Sequence, residues 1–453
     1  MDDGRVLQRN TFVRPVMDQR KPMLSWKLWY KKYHRICMRQ LMKKRWSNKA
    51  LPLFVSTLMP LTSMAGGLWL NEYGDPSQGR ASAGSEAGTG DASTSLHNPA
   101  AMTRLEGDHL MVTGGVVYAK AEFDLDSSGV FNGDEDGGDA GGALPIGSAF
   151  YTSQFNDKTW LGISFVGLAG ASLDYDNDWA GRVQTTEVEL TALVVMPAVG
   201  YKLTDQLSVG IGLPIMYTVL EMKLAVPRGP GLDDGRAKID GDDVVVALNL
   251  SASYEYDEYT RIGVTYNSEF DANYSGNIKT SGGAKVSADT DLTLAAKLRV
   301  GLSHDITDST TGHLTWGWED WSAMGDVAIS AENGGASLPR NWEDTYHYAV
   351  GITHTLSDAW RVNAGIAYDT NPVDKTDRTA DMPLDRQVRY AFGVEHTPSQ
   401  GPSIAGSLVY ADYGSATIES DGLGGDGGLT GFSGDYGSND IIFFSISARW
   451  DLE

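Results

Sequence analysis

The 453-residue chain has a single cysteine, Cys37, which excludes a disulfide framework and a thiolate metal site. No apolar run approaches about 18 residues, so no membrane-spanning helix is expected. Basic residues are scarce beyond the N-terminus. Residues 1–65 hold 14 of the 36 Lys and Arg but 3 of the 59 Asp and Glu, leaving 22 basic and 56 acidic residues and a net charge of −34 in 66–453. This charge repels phosphate, so nucleic acid is not expected as a partner.

The basic N-terminal region precedes a short apolar segment. The stretch "MKKRWSNK" (42–49) is basic, "ALPLFVSTLMPLTS" (50–63) is mainly apolar, and Ser63-Met64-Ala65 has a small-x-small pattern. This order is typical of a secretory signal peptide cleaved after Ala65. We therefore expect 42–65 to be a signal peptide, 1–41 to lie upstream of a start at Met42, and the mature chain to be exported.

Apolar and polar residues alternate from residue 108 onwards. In "DLTLAAKLRVGLS" (291–303), the apolar face carries Leu292, Leu294, Ala296, Leu298, Val300 and Leu302, and the other face carries Lys297 and Arg299. "WRVNAGIAY" (360–368) and "IIFFSISARW" (441–450) alternate in the same way. A period of two predicts strands with one apolar and one polar face. The predicted strands are 108–126, 144–155, 159–175, 186–203, 206–225, 241–257, 259–275, 289–305, 311–325, 342–356, 359–370, 386–396, 403–414 and 439–452.

Short and long connections alternate between these fourteen segments. "NDK" (156–158), "TD" (204–205) and "SD" (357–358) are short, whereas "SSGVFNGDEDGGDAGG" (127–142) is long. Such alternation between an even number of antiparallel strands is typical of an outer-membrane barrel. The strands are also longer than those of a secreted β-sandwich, which was the alternative. The predicted fold is all-β: a 14-stranded antiparallel transmembrane β-barrel over 108–453.

Small residues dominate the segment before the first strand, "GRASAGSEAGTGDASTSLHNPAAM" (79–102). Asn98 suits a helix N-cap, and Pro99 suits the first helical position because it needs no N–H partner. Small side chains pack closely against one another and against a barrel wall. We therefore predict that 66–107 form an N-terminal hatch that plugs the lumen.

Several segments resemble the FadL/TodX (OmpP1) family of outer-membrane transporters of hydrophobic compounds. They are the hatch segment 70–102, "DWAGR" (178–182), "MPAVGYKLTDQLSVGIG" (196–212) and the hairpin with its loop at 341–386. The resemblance implies a hatch containing Asn98, Pro99 and Ala100, with Leu68, Trp69 and Leu70 reaching the ligand. It also implies passive uptake of long-chain fatty acids or aromatic hydrocarbons.

The family resemblance further implies a lateral opening near the third strand. That strand reads "GISFVGLAGASLDY" (162–175), and Gly167 and Gly170 interrupt it. Glycines at such positions suit a bulge or a kink, although they would also fit a crowded wall.

The predicted inward faces carry basic side chains. They are Lys297, Arg299, Arg361, Arg389 and Arg449. A cation in a partly desolvated lumen would stabilise a carboxylate ligand, and we take Lys297, Arg299 and Arg361 as candidates for this role. The alternative is that each of these cations pairs with an Asp or Glu of the lumen.

Three classes of function compete on these features. A transporter of hydrophobic molecules uses the hatch, the barrel and the apolar N-terminus, and the basic residues favour fatty acids over aromatic hydrocarbons. A general porin would not need the hatch, and an outer-membrane enzyme would need a Ser/His or Asp/His arrangement that does not stand out. We therefore expect no catalytic residue and no cofactor. We also expect no metal site: "NGDEDGG" (132–138) resembles the start of a Ca²⁺ loop, but Ala143 stands where such a loop needs Glu.

The expected partners follow from the transporter reading. They are a hydrophobic small-molecule ligand, outer-membrane lipid and lipopolysaccharide. The expected location is the outer membrane of a Gram-negative bacterium, where the protein would be a monomer.

Overall fold

The computed structural model describes residues 71–228, 232–331, 334–422 and 428–452, which belong to one compact unit. The predicted signal peptide and the candidates Leu68, Trp69 and Leu70 lie outside these residues. In the described part of the chain, no helix is long and apolar enough to cross a membrane.

Almost all regular structure after residue 107 is β-strand. The segments are β1 Asp108–Ser128, β2 Gly142–Asn156, β3 Thr159–Asp174, β4 Glu187–Lys202, β5 Leu207–Gly212, β6 Ile215–Val226, β7 Gly235–Val246, β8 Asn249–Glu255, β9 Thr260–Asn267, β10 Phe270–Thr280, β11 Lys285–Leu294, β12 Lys297–Thr307, β13 Thr310–Glu319, β14 Asp326–Ala331, β15 Gly334–Pro339, β16 Thr345–Ser357, β17 Trp360–Asp369, β18 Gln387–His396, β19 Ser403–Asp412, β20 Ile418–Ser420 and β21 Phe432–Leu452. Short helices span Pro76–Arg80, Ser85–Ala87, Thr94–His97, Pro99–Arg104 and Trp321–Met324.

These segments form a closed antiparallel barrel. Seven of its strands consist of two consecutive segments: β5 with β6, β7 with β8, β9 with β10, β11 with β12, β13 with β14, β15 with β16, and β19 with β20. The ladder between β1 and β21 runs from Asp108↔Leu452 to Ser128↔Phe432 and closes the cylinder. Within the described ranges the wall therefore has fourteen strands, which confirms the predicted fold.

Six neighbouring barrel strands, the fifth to the tenth, are interrupted, which the alternation pattern did not predict. Backbone hydrogen bonds connect adjacent interruptions, such as Ala247 N to Pro214 O at 2.9 Å and Asp320 N to Ala296 O at 3.0 Å. They therefore form one continuous seam, which lies at 213–214, 247–248, 268–269, 295–296, 320–325 and 340–344.

The seam reverses which face of a strand points inward. Below the seam, on the side of the short connections, Lys297 and Arg299 are buried in the lumen as predicted. Above it, Leu292 and Leu294 are also buried, at 3% and 0% exposure. The predicted single strand 289–305, with Leu292 and Leu294 on the face opposite to Lys297 and Arg299, was therefore wrong in this respect. The physical reason is that side chains alternate with a period of two, so one irregular step at 295–296 moves every later side chain to the other face.

The outer surface of the barrel changes character at the same seam. Below it, outward positions carry large apolar and aromatic side chains, among them Val264, Leu314 and Val350. Above it, outward positions of β10 and β11 are polar, including Asp271 and Asp291, which are exposed. An apolar band with an aromatic edge is the part of a barrel that contacts lipid, so β10 and β11 extend beyond that band. In β6 and β7 the band continues above the seam, where Tyr217 and Val244 are exposed.

The described hatch residues, 71–107, fill the lumen against the wall. Ala83, Ala87 and Ala100 are fully buried there. A Cβ added to Gly79 would lie 2.6 Å from the Cα of Gly393 in β18, closer than side chains approach backbone. The small residues of the hatch therefore allow direct backbone packing on the wall, as expected from their composition.

Candidate functional site

Asn98 anchors the hatch at the centre of the barrel. Its Oδ1 accepts hydrogen bonds from the N–H groups of Ala100 and Ala101, at 3.0 and 3.4 Å, so it caps the helix Pro99–Arg104. Its Nδ2 donates to Glu86 O at 2.5 Å and to Ala252 O at 3.0 Å, which joins two parts of the hatch to β8. The predicted cap and the predicted place of Pro99 are confirmed, whereas a gating role for Asn98, Pro99 and Ala100 stays a prediction.

A cavity of about 70 Å³, the inner cavity, lies between the hatch and the wall. The apolar part of its lining includes Leu96, Val194, Met196 and Phe270. The polar part of its lining is Asn71, Tyr73, Ser82, Glu86, His97, Thr265, Asn267, Lys297 and Arg299. The inner cavity is therefore amphipathic and brings together two of the three predicted cations.

Two buried arginines of the lumen, one of them at the inner cavity, have acidic neighbours. Arg299 lies 2.6 Å from Glu319, and both side chains are about nine-tenths buried. Arg389 forms ion pairs with Glu72 of the hatch and with Asp369. Pairing with lumen carboxylates, the alternative considered from the sequence, therefore holds for these two arginines.

A second ion pair lies within the hatch, where His97 reaches the inner cavity. His97 Nε2 is 3.2 Å from Asp75 Oδ1, and the two side chains are 8% and 0% exposed. Burial raises the pKa of Asp75, but the charge of His97 and hydrogen bonds with Ser77 outweigh it and lower that pKa to about 2. Burial lowers the pKa of His97, but Asp75 outweighs it, so the pKa of His97 is raised. The pair therefore carries opposite charges at neutral to mildly acidic pH.

The inward face of β4 carries an apolar stripe along the whole lumen. Its side chains are almost fully buried: Val188, Leu190, Ala192, Val194, Met196 and Ala198. At its upper end the stripe reaches the outer cavity, which holds about 30 Å³ between Val188, Leu220, Ile239 and Leu292. The charged pair Arg340–Asp381, at 2.6 Å, closes one side of the outer cavity. The stripe thus connects two cavities at different heights.

The ladder between β2 and β3 stops halfway up the wall. It runs from Asn156↔Thr159 to Ala149↔Phe165, and above that point β3 pairs only with β4 in the described residues. The two strands meet again at the top, where Asp174 N donates to Ala140 O at 3.0 Å. Between these points the wall has a gap, bordered by 141–148 and 166–173.

The gap lies beside the inner cavity. Val166 on its edge is paired with Val194, which lines that cavity. The register of β3 against β4 shifts between Gly167 and Ala169, so a bulge lies between the two glycines, Gly167 and Gly170, predicted at the opening. The sequence carried a further signal that was missed: Pro145 in β2 lacks an N–H group and suits a strand edge without a partner.

Arg361 does not join the other predicted ligand residues. It is the second residue after the short connection 358–359, its side chain is half exposed, and its Nη1 is 3.8 Å from Glu395. It faces a separate polar space below the hatch. The structure thus brings Lys297 and Arg299 together and places Arg361 elsewhere.

A closed, plugged barrel with a lipid-facing apolar band and an amphipathic internal cavity defines a channel-type protein of the bacterial outer membrane. The family model described as outer membrane protein transport protein (OMPP1/FadL/TodX) matches residues 56–449, and the chain belongs to this family. The resemblance seen in the sequence and the predicted outer-membrane location are confirmed.

Curated relatives and solved structures agree with this assignment. The long-chain fatty acid transport protein of Salmonella typhi is 22% identical over 84% of this chain and 96% of its own length. Outer membrane protein P1 of Haemophilus influenzae is 25% identical over 76% of this chain and 84% of its own. A Pseudomonas aeruginosa FadL homologue has a TM-score of 0.80 at 19% identity, and the toluene transporter TodX of Pseudomonas putida has 0.64 at 16%; each comparison covers 86% of this chain and all of the other.

Proposed function

We propose that the protein is a passive uptake channel for long-chain fatty acids, in which the ligand occupies the inner cavity and leaves through the gap between β2 and β3. The observation that carries the proposal is the β4 stripe. It joins the outer cavity, the inner cavity and the edge of the gap by one continuous apolar surface. An alkyl chain that follows this stripe stays out of water along its path.

The polar side of the inner cavity supports a carboxylate head group. Lys297 and Arg299 both line it, and a carboxylate near a cation in a desolvated site is stabilised by charge-assisted hydrogen bonds. Glu86 and Glu319 partly balance these cations, so the head group would share them with the protein's own carboxylates. A neutral aromatic hydrocarbon would use only the apolar side.

The hatch disfavours the general porin. Its backbone packs directly on wall glycines, and Asn98 ties it to β8, so a broad aqueous path is closed in this state. The same hatch and gap let an apolar ligand leave sideways without displacing the hatch. We propose that no chemical step is involved, so the protein is not an enzyme.

We also propose that the barrel acts as a monomer among outer-membrane lipids and lipopolysaccharide. The closed ladder supports this, because beyond the gap it leaves no long unpaired strand edge in the described residues for a partner subunit. The acidic outward residues above the seam, such as Asp271 and Asp291, suit the phosphate-rich layer once divalent cations bridge the charges.

The test is binding of radiolabelled oleate and of toluene to the purified, detergent-solubilised protein. We compare the wild type with Lys297→Ala, and we use Arg236→Ala as the matched control because it removes an exposed cation that lines neither the inner cavity nor the polar space below the hatch. Removing one charge-assisted contact to a carboxylate should weaken oleate binding about tenfold. Toluene binding should not change.

The outcomes separate the alternatives. Oleate binding that is weakened by Lys297→Ala and unchanged by Arg236→Ala supports the proposal. Toluene binding without oleate binding assigns the protein to uptake of aromatic hydrocarbons. If neither ligand shows saturable binding, both uptake functions are contradicted and a general porin becomes the better explanation.

A further inference from the structure

A polar space of about 190 Å³, the periplasmic vestibule, lies below the hatch. Hatch residues Gly88–Asp91 form its upper side. Its wall residues lie near the short connections, which in outer-membrane barrels face the periplasm; Arg261, for example, is the second residue of β9. The hatch therefore separates the vestibule from the inner cavity.

The charged lining of the periplasmic vestibule is mainly basic. Two arginines come from the hatch and three from the wall: Arg80, Arg104, Arg261, Arg361 and Arg449. Two carboxylates share the lining, Asp91 and Glu395. Both already accept hydrogen bonds, Asp91 from Ser93 Oγ at 2.6 Å and Glu395 from Asn363 Nδ2 at 2.8 Å.

Arg80 is the most unusual member of this set. It is 5% exposed, and its Nε donates to Ala83 O at 2.8 Å. In the described part of the chain it has no carboxylate within 4.0 Å, and its two Nη atoms have no acceptor. A buried guanidinium without a contacting counterion is destabilising. Burial lowers the pKa of Arg80, and the charges of Asp75, Glu395, Asp91 and Glu86 offset this only in part. The vestibule thus contains a buried cation with no anion in direct contact.

Arg104 of the hatch pairs with Glu255 at 3.1 Å, whereas the three wall arginines are only loosely paired. Arg261 lies 3.5 Å from Asp305, Arg361 3.8 Å from Glu395, and Arg449 3.8 Å from Asp451. The Nε atoms of Arg261 and Arg449 are buried without an acceptor among the described residues. These guanidinium groups therefore retain N–H donors for a ligand.

We propose that the periplasmic vestibule is a binding site for a small oxyanion, the phosphate or carboxylate group of a periplasmic solute. The fork of N–H donors on a guanidinium matches such oxyanions. The site does not depend on which molecule the barrel transports. Because Arg80 belongs to the hatch and Arg361 and Arg449 to the wall, a bound anion bridges the two and holds the hatch closed through linkage.

The test uses the full protein in detergent and equilibrium dialysis with radiolabelled inorganic phosphate, and with radiolabelled acetate in a second arm, at constant ionic strength. The variants are Arg80→Gln and Arg361→Gln, and Arg236→Gln, an exposed arginine on β7, is the matched control. Each vestibule variant should weaken binding about tenfold, by loss of charge-assisted hydrogen bonds. Phosphate should also slow hydrogen exchange of hatch amides in the wild type but not in Arg361→Gln.

Arg361→Gln keeps the test valid if Arg80→Gln disturbs the hatch, because Arg361 is half exposed on the wall. Phosphate binding weakened by Arg361→Gln supports a phosphate site, and the same result with acetate supports a carboxylate site. No saturable binding of either anion, or binding that Arg361→Gln leaves unchanged, overturns the proposal. Lys297→Ala should not affect phosphate binding. A failure of the oxyanion-site proposal can therefore be distinguished from a failure of the uptake proposal.

Discussion

Gly79→Ala tests how the hatch is seated, because two physical effects predict opposite results. Gly79 lies in the helix Pro76–Arg80, where alanine should stabilise the helix by up to about 1 kcal/mol. The new Cβ would, however, lie 2.6 Å from the Cα and 2.9 Å from the N of Gly393. Two carbon atoms need about 3.5–4.0 Å, so hatch and wall must separate by about 1 Å.

The packing term should dominate. Overpacking a well-packed contact costs about 1–3 kcal/mol, and backbone on both sides cannot rotate away as a side chain can. The net loss of hatch stability is therefore about 1–2 kcal/mol, which raises the population of the open hatch about 5- to 30-fold. We expect faster hydrogen exchange at the amides of Ala81 and Ser82, which bond to Gln78 O and Ser77 O, and more frequent opening events in planar bilayers.

Gly114→Ala is the control, because a Cβ at Gly114 meets nothing within 4 Å. It should leave hatch exchange and conductance as in the wild type. Slower hatch exchange in Gly79→Ala would refute the reasoning, since it would mean that helix propensity, not contact with the wall, sets the stability of the hatch.

Three further substitutions or conditions test other parts of the molecule. Hatch protection factors, measured by hydrogen exchange, should be highest between about pH 4 and pH 6.5. They should fall as pH rises through the raised pKa of His97 and as pH drops through the lowered pKa of Asp75. In His97→Gln the fall at high pH should disappear. Asn98→Ala removes the cap of the helix Pro99–Arg104 and both hydrogen bonds of Nδ2, so it should destabilise this part of the hatch by at least about 1 kcal/mol, seen as faster hydrogen exchange at Ala100 and Ala101. Trp179→Ala should destabilise the loop after β3 by about 3–5 kcal/mol, because Trp179 is fully buried and stacks on Tyr175. Thermal unfolding followed by circular dichroism measures the effect, and an unchanged midpoint would contradict the packing role.

The barrel could be predicted because its signals are local. A period of two defines each strand, and short polar connections define every second turn, so all fourteen strands were predicted in the right order. Several of them extend six to eight residues beyond the predicted bounds; β21, for example, begins at Phe432 and not at 439. The seam could not be predicted, because Pro214 marks the break in the fifth strand but Ala295 and Ala296 carry no such mark. Whether those alanines continue a strand depends on the neighbouring strands. The inward orientation of Leu292 depends on the same tertiary contacts.

The candidate site divides in the same way. The sequence correctly places Lys297, Arg299 and Arg361 on inward faces. The alternation does not, however, indicate how far along the barrel axis each side chain lies. The distance from the nearest short connection gives the height: Arg361 is the second residue after 358–359, whereas Lys297 begins β12, whose other end reaches that side of the barrel. Counting residues from the turns would have separated Arg361 from the other two.

The distribution of polarity argues for a sideways exit. A ligand that moved straight down from the inner cavity would have to displace the hatch and then pass Arg80 and the other arginines of the periplasmic vestibule. An alkyl chain offers those guanidinium groups no hydrogen bonds, so it would only remove water from them, which is unfavourable. Through the gap the same alkyl chain would pass Val166 and Leu144 and enter lipid without removing water from a guanidinium group. The two routes thus suit different chemistry, the gap an apolar chain and the vestibule an oxyanion.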